Sequence, residues 1–367
     1  MKMIISKSLP LNKNLKCDAL IIGSGAGGSI SSLLLSKRKL KVIVIEEGHN
    51  PNLIDNDISE QKKMRFLYRN GGAQPIFGKN TIGYGEGSCV GGSTYVNAGY
   101  LFRTPENVID EWSQKKLLNN NFIDNIYKNY NYIEKLLNKS IHISNNDNLD
   151  SEILKNVSLK NKYFYTESTR GIINCKNKNK CFIGCPSGAK QSTLISVLPK
   201  SVENGVDIYH QTKAIKIDYN NNKFKTYVSS GMKKKKIINA SIESKYLIVS
   251  CGPTQSPQIL SRNGLVKIND KHLQYHSNLK VLAKFDKKIY PENATVSTFH
   301  IREFEKQRMI FSASNFNMSQ IAATYSHLNF SDIENIFKNK DYFGFYVMQL
   351  RNYSKAKFLK LPFDNYM

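Results

Sequence analysis

Apolar positions along this chain follow three rhythms. Two short unbroken runs, "DALIIG" and "KVIVIEEG", end in glycine or acidic residues, and each predicts a buried parallel strand. Between them "SISSLLLSKRK" predicts a helix, giving the order strand, helix, strand at the front of the chain. Strict alternation marks "KAIKIDYNNNKFKTYVSSGMKKKKIINASIE", which predicts a β-meander with polar turns, the lysines 233–236 forming a solvated hairpin. It returns in "ATVSTFHIREF" and "IAATYSHLNF", which are strand-like, whereas "VIDEWSQKKLL" and "FIDNIYKNYNYIEKLL" are helical segments.

The turn after the first strand carries the first chemistry. Gly23-Ser24-Gly25-Ala26-Gly27-Gly28 matches G-x-G-x-x-G. Gly23 allows the tight turn, Gly25 lets backbone approach a pyrophosphate, and Gly28 lets the helix pack against the strand. The pyrophosphate would rest on the helix N-terminus, where free N–H groups and the helix dipole favour negative charge. Glu46 follows at roughly the 20-residue spacing of the acid that holds a ribose hydroxyl, with Glu47 as its competitor. These residues predict a dinucleotide site without deciding between NAD and FAD.

A second glycine cluster, "GYGEGSCVGGSTYVNAGYLFRTP", places Gly at 83, 85, 87, 91, 92 and 99. So much glycine implies turns with positive φ or backbone lying close to a ligand. Here the chain resembles the glucose–methanol–choline (GMC) family of FAD-dependent oxidoreductases. Gly91, Gly92, Ser93 and Asn97 match that family's "GGSxxxN" loop, and "FRTP" continues it. "NGVDIYHQTKAIKIDY" resembles the strand that reaches the adenine end, with Ala214 offering backbone. "SKYLIVSCGPTQSPQILSRNGL" resembles the second signature, matched at Gly252, Ser256 and Pro257, with Cys251 and Asn263 as departures. The resemblance spans Asp18 to Leu265. It implies FAD as cofactor, Asn97 beside the reacting ring, and "YLIVSCG" as a strand re-entering the main sheet. An NAD-dependent dehydrogenase becomes the lesser alternative.

The expected architecture is α/β: a discontinuous Rossmann-type FAD-binding domain with a β-meander, plus a partial α+β substrate domain with an antiparallel sheet. Its boundaries are 15–115 for the first part of the FAD domain and 116–185 for a helical insertion with a cysteine loop. The second part of the FAD domain covers 186–270, and the partial substrate domain covers 271–367. The activity implied by the resemblance is oxidation of a CH–OH group in an alcohol or sugar. Electrons would pass to an acceptor other than NAD, such as a cytochrome or a quinone.

Cys175, Cys181 and Cys185-Pro186 form C-x5-C-x3-C-P. By resemblance to the flavin subunits of some sugar dehydrogenases, these thiols could ligate a [3Fe–4S] cluster, for which three thiolates suit better than for a closed zinc site. Reduced thiols packing a loop, or a disulfide, stay open as alternatives. The following "SGAKQST" predicts a helix capped near Ser187 or Gly188. Cys17, Cys89 and Cys251 are expected to be buried small residues.

Composition bounds the rest. In 367 residues, 40% hydrophobic content predicts a folded globular chain. The formal charge of +24 is scattered along the whole length, which argues against nucleic-acid binding and leaves attraction to anionic substrates or membrane surfaces. No apolar run approaches a transmembrane helix, so a cytoplasmic protein, peripheral at the membrane at most, is expected. Histidine is the natural base for the hydroxyl proton, and in this family it lies near the C-terminus. The histidines here are at 49, 142, 210, 272, 276, 300 and 327. His276 resembles the corner where the chain leaves the FAD domain, and His300 and His327 lie on strand-like segments. No catalytic residue is therefore named. A chain lacking the C-terminal catalytic segment, completed by another polypeptide or inactive, is the rival expectation.

Overall fold

The computed structural model describes residues 5–10, 13–55, 57–72, 74–79, 81–141, 149–230, 240–267, 272–289, 295–314, 321, 324–325 and 328–358. Lysines 233–236, His142 and His327 lie outside the described residues.

The main sheet has seven strands, in the order Lys7–Ser8, Asp207–His210, Val42–Ile45, Asn14–Ile22, Ala240–Val249, Lys223–Ser230, Thr212–Asn220. Its first five strands run parallel and the last two antiparallel. The unbroken apolar runs make this possible, because a parallel strand covered on both faces needs apolar residues at every position. Leu20, Ile22, Ile43 and Ile45 face one way, onto Ala214, Ile217, Val228 and Ile242 of the meander. Ala19, Ile21, Val42 and Val44 face the other way, onto Leu194, Leu198, Val206 and Ile208. The expected meander is present. Ala240–Val249 serves two roles, pairing antiparallel with the meander at its start and parallel with Asn14–Ile22 along its length.

Helix Ala26–Lys37 buries three serines, Ser29, Ser32 and Ser36, beside Leu33. Ser32 Oγ lies 2.9 Å from Ser201 Oγ of helix Leu198–Glu203. Small side chains bring these helices close, while Leu33 joins Leu136 and Val197 in a separate apolar cluster.

A second sheet of five antiparallel strands runs His272–Lys284, Phe343–Lys357, Met309–Ala313, Phe299–Ile301, Tyr165–Glu167. Phe343 and Phe345 pack from it onto Ile336 of helix Phe330–Lys338. Three local expectations change. The expected helix Glu106–Gln114 ends before the 116–185 segment, which contains the expected helix Asn120–Leu136 but also gives the second sheet its edge strand Tyr165–Glu167. "IAATYSHLNF" is not a strand where it is described: Tyr325 N–H donates to Ile321 O at 2.9 Å, a helical bond. His276 stands exposed within the long strand His272–Lys284, beside a register shift, rather than at a corner.

His300, on the strand Phe299–Ile301 of the second sheet, is 1% exposed. Its Nδ1 is 2.8 Å from Ser168 Oγ, and Tyr100 and Phe102 meet its ring edge-on. Burial, with Arg302 and Arg170 adding repulsion, pushes its pKa down to about 4. The unfolded imidazole titrates near 6.5, so between these values the unfolded chain binds more protons. Stability is therefore complete above pH 6.5 and is lost as pH falls toward 4. We expect about 2 kcal/mol of loss between pH 7.5 and pH 5 from this group. Urea denaturation at the two pH values should show it, and His300→Gln should remove most of that pH dependence. An unchanged dependence in the variant would assign it to other groups.

Candidate functional site

The first strand ends at Ile22, and the chain turns at Gly23 with φ +98° before helix Ala26–Lys37 begins. A Cβ at Gly23 would stand 2.4 Å from Ser250 O, and one at Gly28 would stand 1.8 Å from Gly23 O. Both positions therefore admit only glycine, the first for the turn and the second for helix-to-strand packing. Among the described residues no side chain caps this helix, which leaves its first-turn N–H groups for a ligand.

The second glycine loop meets the first backbone to backbone. A Cβ on Gly92 would lie 2.9 Å from Gly25 Cα, and Gly92 itself has φ +54°. Four hydrogen bonds join the loops to the end of the neighbouring strand. Gly91 N–H donates to Ser24 Oγ at 3.1 Å, and Ser24 Oγ donates to Glu46 Oε2 at 2.8 Å. Ser24 N–H donates to the same Oε2 at 3.0 Å, and Gly48 N–H reaches Oε1 at 3.0 Å. Burial pushes the Glu46 pKa up, while these donors pull it back.

These elements enclose a cavity of about 480 Å³. Gly23, Gly25, Glu46, Gly92, Ser93, Ala214 and Gly252 line it, as do Glu47, Arg69, Glu86 and Arg262. Gly28 and Gly91 stand behind the wall as packing residues. Asn97 is exposed and not among the lining residues, and its Oδ1 accepts from Gly99 N–H at 3.0 Å. Gly252 has φ +82° and opens helix Gly252–Arg262, while Ser256 Oγ accepts from Cys251 N–H at 3.0 Å.

Arg69 carried no signal in the sequence. Its guanidinium contacts Glu47 and donates to Glu86 Oε1 at 2.7 Å, and Glu86 also accepts from Thr254 Oγ1. Burial opposes this charge, but Glu47 and Glu86 outweigh it and hold the Arg69 pKa above its ordinary value. Four separate stretches of chain are thereby tied around the cavity mouth. Both acidic candidates face the cavity: Glu46 accepts three bonds from backbone and serine donors and keeps acceptor capacity on Oε1, and Glu47 is paired with Arg69.

The cysteine loop does not gather its thiols. Arg170 Nη2 lies 3.2 Å from Cys181 Sγ, Cys185 Sγ lies 3.3 Å from Ser187 Oγ, and Cys175 Sγ lies 3.9 Å from Thr295 Oγ1. Among the described residues no group of three His, Cys, Asp or Glu side chains is placed to hold a metal ion. The expectation that Cys175, Cys181 and Cys185 converge on a [3Fe–4S] cluster is not met by this geometry. None of the six cysteines is in a disulfide, and Cys89 is buried as expected while Cys17 and Cys251 are only partly buried. The helix expected near Ser187 starts later, at Thr193 after Ser192, because Lys190 is bridged to Ile172 and Ile173 N–H bonds Ala189 O. Among the described residues no helix is long and apolar enough to cross a membrane.

A glycine-turned parallel sheet with an acid closing its second strand defines a Rossmann-type nucleotide-binding α/β protein. A family model described as GMC oxidoreductase matches residues 64–278, more than half of the chain. The chain belongs to the GMC oxidoreductase family. An uncharacterized GMC-type oxidoreductase, y4nJ of Sinorhizobium fredii, is 28% identical over 305 residues, covering 83% of this chain and 60% of that protein. Long-chain-alcohol oxidase FAO1 of Arabidopsis thaliana is 27% identical over 291 residues, covering 75% of this chain and 38% of that protein. The chain thus spans 60% or less of the length of these curated relatives. Among solved structures, a formate oxidase of Aspergillus oryzae superposes with a TM-score of 0.64 at 11% identity, covering 94% of this chain and 74% of that one. Pyridoxine 4-oxidase from Mesorbium loti gives 0.60 at 13%, covering 93% and 73%. At such identities the likeness concerns the fold.

Glu86 is 5% exposed, so removing its cation leaves a buried carboxylate uncompensated. Arg69→Met should cost about 3–5 kcal/mol in urea denaturation, and adding Glu86→Gln should recover a large part. A cost below about 1 kcal/mol would make the tie no stronger than a surface pair.

Proposed function

We propose that this chain binds FAD and takes part in oxidising a CH–OH group, with electrons leaving to an acceptor other than NAD. The observation that carries this reading is the close approach of the two glycine loops over an uncapped helix N-terminus, with Glu46 at the end of the adjoining strand. Those residues fit a dinucleotide. First-turn amides of helix Ala26–Lys37 would receive the pyrophosphate, and Glu46 or Glu47 would accept from ribose hydroxyls. Gly23, Gly25 and Gly92 would keep the backbone close to the phosphates, and Ala214 and Gly252 would line the remaining wall. Asn97, at the far end of the second loop, would stand toward the ring system.

FAD, when bound, supplies the hydride acceptor for the CH–OH carbon. The protein's part is to hold and orient: Ser24 and Gly48 fix the Glu46 carboxylate, and Arg69 fixes Glu47 and Glu86. The relatives' names point to alcohols as the substrate class, among them long-chain alcohols. Small alcohols and sugars belong to the same reading.

The test is an anaerobic absorbance spectrum of the purified chain after FAD addition, with iron and labile sulfide assayed in the same sample. Bound flavin that bleaches with an alcohol supports the full reading. Flavin that no alcohol bleaches leaves an FAD-binding unit without turnover, and a folded chain that takes up no FAD overturns the proposal. Glu46→Ala should weaken FAD binding at least tenfold, about 1.4 kcal/mol, as read by flavin fluorescence titration.

A further inference from the structure

Behind the second glycine loop lie two buried cations that the cofactor reading does not use. Lys190 is 2% exposed and Arg170 fully buried. Lys190 Nζ donates to three backbone carbonyls, those of Tyr95 at 2.6 Å, Asn97 at 2.7 Å and Cys181 at 2.6 Å. An ammonium has three N–H donors, and all three are spent. Arg170 Nε donates to Ala98 O at 3.0 Å, and the other guanidinium nitrogens reach Thr295 Oγ1 and Cys181 Sγ. The carbonyls of Tyr95, Asn97 and Ala98 therefore all turn toward these two side chains.

The loop is also shaped around the lysine stem. Gly99 has φ +77°, and a Cβ there would lie 3.2 Å from Lys190 Cγ. Among the described residues neither cation forms an ion pair with a carboxylate, and the groups that act on Lys190 are thiols and Arg170. Burial pushes the Lys190 pKa down to about 8, yet a neutral amine would turn a lone pair at one of the three carbonyl oxygens. Three matched acceptors thus keep the proton in place. Carbonyl dipoles offset part of the two charges, and the low local dielectric lets the remainder act over distance.

We propose that Lys190, supported by Arg170, is a positioning residue that fixes the peptide units of residues 95–98 and places positive charge behind the ring-facing loop, raising the reduction potential of bound flavin. This rests on the FAD reading above. Two-electron reduction of a flavin adds negative charge to its ring system, and fixed positive charge behind the loop favours that state. The loop would then be both a wall and an electrostatic device, assembled by a lysine from the segment "SGAKQST".

The experiment compares the wild type with Lys190→Gln, Lys190→Arg and Arg170→Gln, each loaded with FAD and titrated against a dye of known potential under anaerobic conditions. Lys190→Gln keeps two of the three donors and loses the charge. It should shift the two-electron equilibrium toward oxidised flavin by at least tenfold, about 30 mV more negative. Lys190→Arg should restore most of the wild-type value, and Arg170→Gln should shift in the same direction as Lys190→Gln. In the FAD-free protein, amides 95–99 should exchange faster in Lys190→Gln, which tests the positioning role whether or not that variant retains flavin. A wild type that takes up no flavin sinks the cofactor reading and this inference together. Flavin with one potential in all four proteins, or unchanged amide protection in Lys190→Gln, overturns the inference and leaves the cofactor reading standing.

Discussion

The hydrogen-bonded line from Gly91 N–H through Ser24 Oγ to Glu46 is the contact on which the site depends. It joins both glycine loops to the end of the strand Val42–Ile45. A fully buried carboxylate is costly unless its oxygens are satisfied, and here the turn after the first strand supplies the donors. The acid that would grip a ribose is therefore also the acid that orders the loop. Remove its donors, and both the turn and the close approach of Gly92 to Gly25 lose their anchor.

Around that line the structure repeats one device, a buried charge tying distant stretches of chain. Arg69 and Glu86 bring the segment after helix Glu60–Leu67, the second glycine loop and the start of helix Gly252–Arg262 together. Lys190 and Arg170 do the same on the other side of the loop, using backbone carbonyls in place of carboxylates. Glycine-rich loops lack side chains to pack, so they have little apolar area with which to define their own shape. Fixed polar contacts supply that definition, and loops with few apolar contacts are where they are most needed.

What the sequence made legible follows the same division. Period and punctuation revealed the parallel strands, the meander and the glycine turn, because those features are local in the chain and recur wherever the same backbone is needed. Glu46 was legible for the same reason, through its spacing from Gly28. Arg69 and Arg170 were not, because an arginine between loops looks like any surface arginine until long-range topology buries it. Lys190 stood in a quoted motif, but nothing local says that three carbonyls from two other loops will converge on it. "IAATYSHLNF" alternates like a strand, yet Ile321 packs beside Ile336 of a neighbouring helix, and tertiary contact overrides the local pattern.

The cysteines show what spacing alone leaves open. C-x5-C-x3-C-P sets the chain length between thiols but not their direction. In the structure Cys181 is turned to Arg170, while its carbonyl is taken by Lys190. A buried guanidinium and a buried ammonium beside one thiol make a lining suited to negative charge. Positive charge lies behind the loop 95–98 in Lys190 and Arg170, while Glu46, Glu47 and Glu86 line the cavity together with Arg69 and Arg262. Under the FAD proposal, ribose hydroxyls would meet acceptors at Glu46 or Glu47, and the charge of Lys190 and Arg170 would act from behind the loop 95–98.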